Sequence, residues 1–296
     1  MQLTRFVNGF KRLETPFYFY DLDILDQTLR LYTKFLRKYG YQAHFAMKAN
    51  ANPRILEMIH RSGLGADCVS GNEVQLALDM GFDPDTIVYA GVGKSDREIR
   101  TALQGGIFCF NCESIPEIRI INDLASQMGK TARISLRLNP NIDAHTNKHI
   151  TTGRSRDKFG ISEWMLDEVL GIIAASRNIK LIGLHFHIGS QVEDMQVFEK
   201  LCKKVNSYQK WFEQHDIHLE HINLGGGIAV DYENPIENPF SPFETYFETI
   251  NSNLEVRKGQ KVHFEPGRAL IAQSGYLISR VLYVKIGRGK KFAILD

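Results

Sequence analysis

Several short motifs of this chain place reactive side chains directly after apolar runs. Lys48 follows HFAM, and His187 and Ser190 lie in HIGS, which follows the run LIGLHF. A lysine held against apolar surroundings is poorly solvated, which lowers the pKa of its amine and favours a nucleophile. A single lysine in such a place is more often structural, so its meaning depends on its neighbours.

Two further motifs suit the binding of an anion. Gly225, Gly226 and Gly227 follow the run HINL, and they would leave backbone N–H groups open to an approaching anion. The motif EPGR, residues 265–268, follows KVHF, and its arginine carries a fixed fork of donors for a phosphate or a carboxylate. Alternatively, the glutamate and arginine of this motif could form a surface salt bridge.

The elements that must position these motifs alternate along the chain. Short apolar runs are separated by longer amphipathic segments, which predicts βαβ units and a parallel sheet. The eight candidate strands are residues 43–47, 66–70, 87–90, 107–110, 133–138, 181–186, 221–224 and 261–264. We therefore expect an α/β protein with a (β/α)8 TIM barrel over residues 22–265, close to the roughly 250 residues typical of that fold.

In such a barrel the C-terminal ends of the strands form one mouth, where the chemistry takes place. Lys48, Asp67 and Arg137 lie near the ends of the first, second and fifth strands. The HIGS, triple-glycine and EPGR motifs follow the sixth, seventh and eighth strands. Because six strand ends converge, we expect these residues to form one site.

A metal-dependent barrel hydrolase is the rival interpretation. His185 and His187 form an H-x-H pair whose side chains would point to one side of a strand and could ligate a metal. Asp67 and Glu265 could complete the ligand set. A metal would not explain the lysine, the three glycines and the arginine, so we expect no metal.

The four cysteines are too few to cross-link a chain of this length. Cys109 and Cys112 have C-x-x-C spacing, but they lie in the apolar run GIFCFNC, and no second pair completes a zinc site. Cys68 and Cys202 also lie in apolar or helical patterns. We expect all four to be buried apolar side chains.

Composition excludes several other classes of protein. The 36 basic and 34 acidic residues give a net charge of +2, which is unlike the concentrated positive charge of a nucleic-acid binder. No apolar run approaches the roughly 18 residues that cross a membrane, and the start of the chain has no signal-peptide pattern. The expected location is the cytoplasm, with no membrane and no nucleic acid as partner.

A lysine nucleophile, a phosphate cradle, a flat imidazole and a carboxylate together suit pyridoxal 5′-phosphate. The lysine would form the Schiff base, the glycines and Arg268 would bind the phosphate, and Glu265 would pair with the pyridine nitrogen. A carboxylate keeps that nitrogen protonated, so the ring can accept the electrons of a developing carbanion. Steps that place negative charge on Cα, such as decarboxylation, are therefore favoured.

These residues stand within a longer series of motifs. They are FYFYDLD, HFAMKANANPRIL, GLGADCVSGNE, SLRLNPNIDAHT, TTGRSRDKFGIS, GLHFHIGSQ, NLGGGI and FEPGRAL. In this order they resemble the alanine-racemase-like (fold type III) pyridoxal-phosphate enzymes of the class-II ornithine, lysine and arginine decarboxylase family. Within it, HIGSQ and FAMKAN are most similar to the diaminopimelate decarboxylases.

The resemblance implies a role for each site residue. Lys48 would carry the cofactor, His187 would stack on its ring and Glu265 would bind its nitrogen. The phosphate would be bound by Ser190, Gly225, Gly226 and Gly227 beside Pro266 and Gly267. Arg268 would hold a substrate carboxylate, and Asp67 and Arg137 would lie close to the ring. The implied activity is decarboxylation of meso-2,6-diaminopimelate to L-lysine and CO2. Ornithine, arginine, lysine and carboxynorspermidine remain alternative substrates.

The resemblance also implies a second domain and a partner subunit. In the family a β-domain follows the barrel and supplies a cysteine in a C-E-S motif to the partner's site; Cys112-Glu-Ser114 is only a chance match. We expect residues 1–21 to contribute a strand to that domain and residues 266–296 to be its truncated beginning. A homodimer is expected, and the chain alone could be inactive.

Overall fold

A computed structural model describes residues 6–143 and 158–296, and within them eight parallel strands close into a barrel. In chain order the barrel strands are β2 (Gln42–Ala46), β3 (Gly65–Cys68), β4 (Ile87–Tyr89), β5 (Cys109–Cys112), β6 (Ala132–Arg137), β7 (Ile179–His185), β8 (His221–Asn223) and β9 (Lys261–Phe264). Each strand pairs with its neighbours in sequence, and β9 closes the barrel on β2. The predicted (β/α)8 barrel is confirmed.

Helices follow the strands, and several of them begin at a side chain that caps the first turn. They are α1 (Val7–Phe10), α2 (Leu22–Tyr39), α3 (Pro53–Arg61), α4 (Gly71–Asp79), α5 (Asp96–Gly105), α6 (Ile115–Gln127), α7 (Leu166–Ala175), α8 (Met195–Gln214), α9 (Phe243–Asn253) and α10 (Arg268–Ile271). The Ser70 and Ser114 side chains accept hydrogen bonds from backbone N–H groups in the first turns of α4 and α6. These bonds satisfy donors that a helix leaves free at its N-terminus.

The main apolar core lies between the barrel and the helices. Phe45, Phe264 and Phe247, from β2, β9 and α9, are almost fully buried there. Helix α9 had no predicted counterpart, because the sequence between β8 and β9 carries prolines and polar residues that conceal its pattern. Its aromatic face nevertheless packs on α2, with the rings of Tyr32 and Phe243 5.1 Å apart.

The interior of the barrel is unusually polar. His44, His263 and His221 form a hydrogen-bonded series, here called the histidine row, on the neighbouring strands β2, β9 and β8. His44 Nε2 lies 3.0 Å from His263 Nδ1, and His263 Nε2 lies 2.9 Å from His221 Nδ1. At the other end, His44 Nδ1 lies 2.8 Å from the carbonyl oxygen of Thr86. Imidazoles therefore connect the three strands below the mouth of the barrel.

A strand that precedes the barrel pairs with one that follows it, as predicted. Strand β1 (Phe17–Tyr20) pairs antiparallel with β10 (Gly275–Ile278), so the N-terminal strand joins the segment that follows the barrel. A hairpin of β11 (Val281–Gly287) and β12 (Lys290–Leu295) comes next. Nearly all of its residues are exposed, including Ile286 and Tyr283. The TTGRSRD part of one predicted motif, residues 151–157, and the AHT end of another, residues 144–146, lie outside the described residues.

Candidate active site

Lys48 lies in a short turn directly after β2, beside a carboxylate on β3. Its Nζ atom is 3.0 Å from Asp67 Oδ2, and Asp67 is buried. The two strands are in register with Ala46 beside Asp67, which sets this distance. Burial lowers the pKa of Lys48, but the carboxylates of Asp67 and Glu265 outweigh it and raise the pKa overall. The predicted lowering of this pKa is therefore wrong for the protein without cofactor.

The pKa of Asp67 is also raised, but the main cause is its burial. Burial and the negative charge of Glu265 raise the pKa of Asp67 to about 7, although Lys48 acts to lower it. Its Oδ1 atom is buried and has no hydrogen-bond partner among the described residues. A buried oxygen without a hydrogen-bond donor lowers the free energy of unfolding unless a ligand binds it.

Glu265 follows β9 and is buried beneath the mouth of the barrel. Its Oε2 atom accepts a hydrogen bond from His185 Nε2 at 2.8 Å. Its Oε1 atom accepts bonds from Asn223 Nδ2 at 2.7 Å and from Asn111 Nδ2 at 3.1 Å. Burial would raise the pKa of Glu265, but His185 and Lys48 more than reverse this and hold it well below its usual range. The carboxylate is therefore ionised in a buried place.

The three glycines lie between neighbouring chain segments that leave no room for side chains. A Cβ at Gly225 or Gly226 would collide with the carbonyl oxygen of Phe186 or Glu265 respectively, and Gly225 has φ +70°. The N–H of Gly225 donates to Asn223 Oδ1 at 2.9 Å, and the N–H of Gly226 to His187 Nδ1 at 3.3 Å. The expectation that all three N–H groups are open to an anion is therefore wrong for these two.

His187 stands beside this loop, with its ring partly exposed. Because Nδ1 accepts the bond from Gly226, the ring is neutral with its hydrogen on Nε2. Burial and the positive charges of Arg137 and Lys48 lower the pKa of His187 to about 3. The ring therefore offers an uncharged flat surface across the neutral pH range.

Arg268 and Ser190 are joined at the rim of the mouth. Arg268 Nε donates to Ser190 Oγ at 3.1 Å, and Nη1 donates to the hydroxyl of Tyr232 at 2.6 Å. Glu265 is bonded to other residues, so the alternative of a surface salt bridge between Glu265 and Arg268 is wrong.

One cavity of about 260 Å³ unites most of the predicted site. Its lining includes the predicted residues Lys48, His187, Ser190, Gly227, Glu265, Pro266, Gly267 and Arg268. Asp67 lies one contact away, through Lys48. Gly225 and Gly226 stand behind the lining. A neighbouring cavity of about 380 Å³ shares Ala49 and Arg268 with the first and is also lined by Tyr20 and Tyr232.

Arg137 is held away from this cavity by a carboxylate. Its Nη1 atom donates to Glu113 Oε1 at 2.6 Å, and its guanidinium carbon lies 4.7 Å from the centre of the Phe159 ring. Glu113 also accepts bonds from the N–H groups of Gly91 and Gly160. It thus ties together the segments that follow β4, β5 and β6. Arg137 acts on the site through its charge, which lowers the pKa values of His187 and Lys48.

The features that could have indicated a metal have other partners. His185 is bonded to Glu265, whereas His187 accepts from Gly226, so the two histidines of the H-x-H pair do not share a ligand site. Within residues 6–143 and 158–296, no group of three or more His, Cys, Asp and Glu side chains is placed to hold a metal ion. The four cysteines are free and buried, as predicted.

Comparison with known proteins decides what this constellation belongs to. Residues 23–272 match the pyridoxal binding domain of the pyridoxal-dependent decarboxylases. This chain belongs to that family. It is therefore a pyridoxal-phosphate-dependent carboxy-lyase, and its barrel is the part of the chain that the family uses to bind the cofactor.

Individual decarboxylases of the family are similar over nearly the whole chain. Diaminopimelate decarboxylase of Bacteroides thetaiotaomicron is 50% identical over 98% of this chain and 75% of its own length. That of Helicobacter pylori strain J99 is 39% identical over 97% of this chain and 70% of its own. A crystal structure of the Helicobacter pylori enzyme complexed with L-lysine superposes with a TM-score of 0.89 at 38% identity, covering 98% of this chain and 72% of that one.

The described residues fit the cofactor of the decarboxylases. Pyridoxal phosphate carries an aldehyde, a ring nitrogen and a phosphate. The cavity offers an amine on Lys48, an ionised carboxylate on Glu265, and the Ser190 hydroxyl beside Gly227 of the glycine loop. Each group of the cofactor therefore meets a chemical complement.

Sequence reasoning missed the side chains that support the main site residues in this decarboxylase. They are Asn111, Glu113, His185, Asn223 and Tyr232. In the sequence, the H-x-H spacing of His185 indicates only a metal ligand, and Glu113 lies in the chance C-E-S match. Asn111 and Glu113 lie at the end of β5. The rule that polar residues at the C-terminal ends of barrel strands form the site, here called the strand-end rule, could have found both.

In the part of the chain that the structure describes, no helix is long and apolar enough to span a membrane.

Proposed function

We propose that this chain catalyses the pyridoxal-phosphate-dependent decarboxylation of meso-2,6-diaminopimelate to L-lysine and CO2. The observation that carries the proposal is the 50% identity to a diaminopimelate decarboxylase over 98% of the chain. The cavity at the mouth of the barrel supports it, since it combines an amine, an ionised carboxylate and a rim arginine. The complex of the Helicobacter pylori enzyme with L-lysine supports the same choice of product.

Lys48, Glu265 and His187 have the central roles in this proposal. Lys48 would hold the cofactor through its amine, Glu265 would bind the ring nitrogen, and His187 would pack its neutral imidazole on the ring. When bound, pyridoxal phosphate withdraws electrons from the Cα atom of an amino acid, which allows the carboxylate to leave as CO2. Glu265 contributes by remaining ionised, which keeps a proton on the nitrogen that it contacts.

The phosphate and the substrate would be held at the rim. Ser190 and Gly227, which line the cavity, are proposed to bind the phosphate next to Pro266 and Gly267, and Gly225 and Gly226 shape the loop behind them. Arg268 is proposed to hold a substrate carboxylate, because its forked donors suit that group and it lines both cavities. Asp67 would hold the Lys48 amine as a cation while the cofactor is absent. Arg137 would act through its positive charge, which lowers the pKa values of Lys48 and His187.

The proposal extends to the domains of the chain, its oligomeric state and its location. We infer a cofactor-binding domain at residues 22–265, with residues 1–21 and 266–296 contributing to a second, β-rich unit. We also propose a homodimer, which the family resemblance implies, and a cytoplasmic location. Light scattering of the purified protein tests the dimer, for which we expect twice the 33.8 kDa mass of the chain.

The test of the reaction is CO2 release from a panel of amino acids. The protein, loaded with pyridoxal phosphate, is given meso-diaminopimelate, lysine, ornithine, arginine or carboxynorspermidine at equal concentration. We expect release from meso-diaminopimelate with L-lysine in equal amount. Faster release from another member of the panel would overturn the substrate assignment.

A second measurement separates the cofactor assignment from the substrate. Borohydride reduction of the loaded protein, followed by peptide mass mapping, should place a pyridoxyl group on Lys48. A pyridoxyl group on another lysine, or none with the cofactor in excess, would contradict the assigned role of Lys48.

A further inference from the structure

The Glu265 carboxylate accepts hydrogen bonds from three buried side chains. Three side chains from three strands donate to it: His185 from β7, Asn223 from β8 and Asn111 from β5. Residues His185 and Asn223 are adjacent in the register of β7 and β8. Both oxygens of the carboxylate are engaged from inside the barrel. The direction of the carboxylate is therefore set before any ligand arrives.

His185 differs from the two asparagines because its ring could carry either one or two protons. Its Nε2 atom must donate, since an ionised carboxylate is only an acceptor. Its Nδ1 atom is buried and has no hydrogen-bond partner among the described residues. A second proton on Nδ1 would bury an N–H group without an acceptor, which is unfavourable. The Nε2–H group of His185 is thus directed at Glu265.

The other titratable groups around Glu265 do not replace this contact. Those that interact with it electrostatically include Lys48, Asp67, His187, His44 and His263. Among the described residues, His185 is the one titratable side chain that bonds directly to the Glu265 carboxylate. Removal of the His185 donor would leave a buried oxygen unpaired and would favour a proton on Glu265 itself.

We propose that His185 is a positioning residue for the cofactor: by donating to Glu265 it keeps that carboxylate ionised and directed at the ring nitrogen. The proposal rests on the role assigned above to Glu265. It predicts that loss of the donor transfers the proton from the ring nitrogen to Glu265. The proton stays in the site, but on an atom where it no longer helps the ring to accept electrons.

The experiment compares His185→Leu, which removes the donor, with His185→Gln, which keeps an N–H donor on a long side chain. His44→Gln is the matched control, because His44 is also buried in the barrel interior and does not touch Glu265. Two quantities are measured: the dissociation constant of pyridoxal phosphate, and the pH midpoint of the absorbance change that reports ionisation of the bound ring nitrogen. Neither measurement needs an amino-acid substrate.

We expect His185→Leu to weaken cofactor binding about tenfold and to move the ring-nitrogen midpoint to lower pH by about one unit, since one pKa unit corresponds to a factor of ten. His185→Gln should recover most of both effects, and His44→Gln should leave both near the wild type. If His185→Leu does not fold, His185→Asn replaces it, because its shorter side chain should fall short of Glu265.

The result that overturns the proposal is a loss of thermal stability in the donor-free variant with unchanged cofactor affinity and midpoint. His185 would then be only a structural residue. A failure of the proposed substrate would appear differently, as absent CO2 release with the cofactor measurements intact. Failure of the wild-type protein to bind pyridoxal phosphate would instead overturn the assigned cofactor site.

Discussion

Lys48 and Asp67 form an ion pair across two adjacent barrel strands, with Nζ and Oδ2 3.0 Å apart. The lysine side chain is 49% exposed at the cavity, whereas the aspartate side chain is 1% exposed. The pair is thus open from the side of the amine only. A molecule that enters the cavity meets a cation, and the anion that stabilises it lies behind.

The first prediction concerns this pair. Asp67→Asn should lower the pKa of Lys48, because the carboxylate that raises it is lost while burial remains. At pH 8 a larger fraction of the amine is then neutral. We expect faster modification of Lys48 by an amine-reactive reagent, followed by peptide mass mapping. An unchanged rate would mean that Asp67 does not control this amine.

The second prediction concerns the glycine loop. Gly226→Ala places a Cβ against the carbonyl oxygen of Glu265, so the loop must move. Overpacking of this kind typically costs about 1–3 kcal/mol of unfolding free energy. Gly171→Ala is the control, because α7 has open space there, and it should stabilise the protein by about 0.5–1 kcal/mol. Urea unfolding of the two variants measures both effects, and equal stabilities would contradict the prediction.

The third prediction separates binding of the substrate from binding of the cofactor. Arg268→Lys keeps the charge but loses the forked donors that reach Ser190 and Tyr232. We expect KM for meso-diaminopimelate to rise about tenfold, equivalent to one charge-assisted hydrogen bond, with cofactor affinity unchanged. Arg257→Lys, at a surface arginine paired with Glu213, should alter neither quantity. Weaker cofactor binding with an unchanged KM would assign Arg268 to the phosphate instead.

The fourth prediction concerns pH and stability. Burial and nearby positive charges lower the pKa of His221 to about 4, whereas a histidine in an unfolded chain has a pKa of about 6.5. Between these values the unfolded state binds a proton that the folded state does not. Stability should therefore fall as the pH falls from about 6.5 toward 4. His44 and His263 also have lowered pKa values and act in the same direction.

Asp67 opposes this trend. Its pKa is raised to about 7, so its contribution to stability is present at low pH and is lost as the pH rises through that value. Urea unfolding of the cofactor-free protein at a series of pH values should show a smaller acid loss in wild type than in Asp67→Asn. His221→Gln should reduce the acid loss, and an equal pH slope in all three proteins would contradict the assignment.

The sequence was sufficient for the barrel and for the residues at its mouth. Alternating apolar and amphipathic segments define the strands, and the strand-end rule then found Lys48, Glu265 and Arg268. The sequence could not show that Asn111 and His185 bond to Glu265, because both are distant from it in sequence and meet it only when the barrel closes. A contact between residues 154 positions apart leaves no local pattern.

The errors at the site have the same origin. The pKa of Lys48 was expected to fall because its apolar neighbours in sequence were visible, whereas the carboxylate on the next strand was not. The glycine loop was expected to present its N–H groups outward. Instead, Asn223 and His187 take up two of them, and these bonds depend on how the strands end beside one another.

The hydrogen bonds of the histidine row all run in one direction along the three rings. The carbonyl oxygen of Thr86 can only accept, so His44 must donate from Nδ1 and receive at Nε2. His263 then donates from Nδ1 to His44 Nε2, and His221 donates from Nδ1 to His263 Nε2. One backbone carbonyl therefore sets the tautomers of all three rings. Two adjacent rings cannot both be protonated without turning an N–H toward another N–H. The three histidines of the row can therefore take up only one additional proton between them while these hydrogen bonds remain.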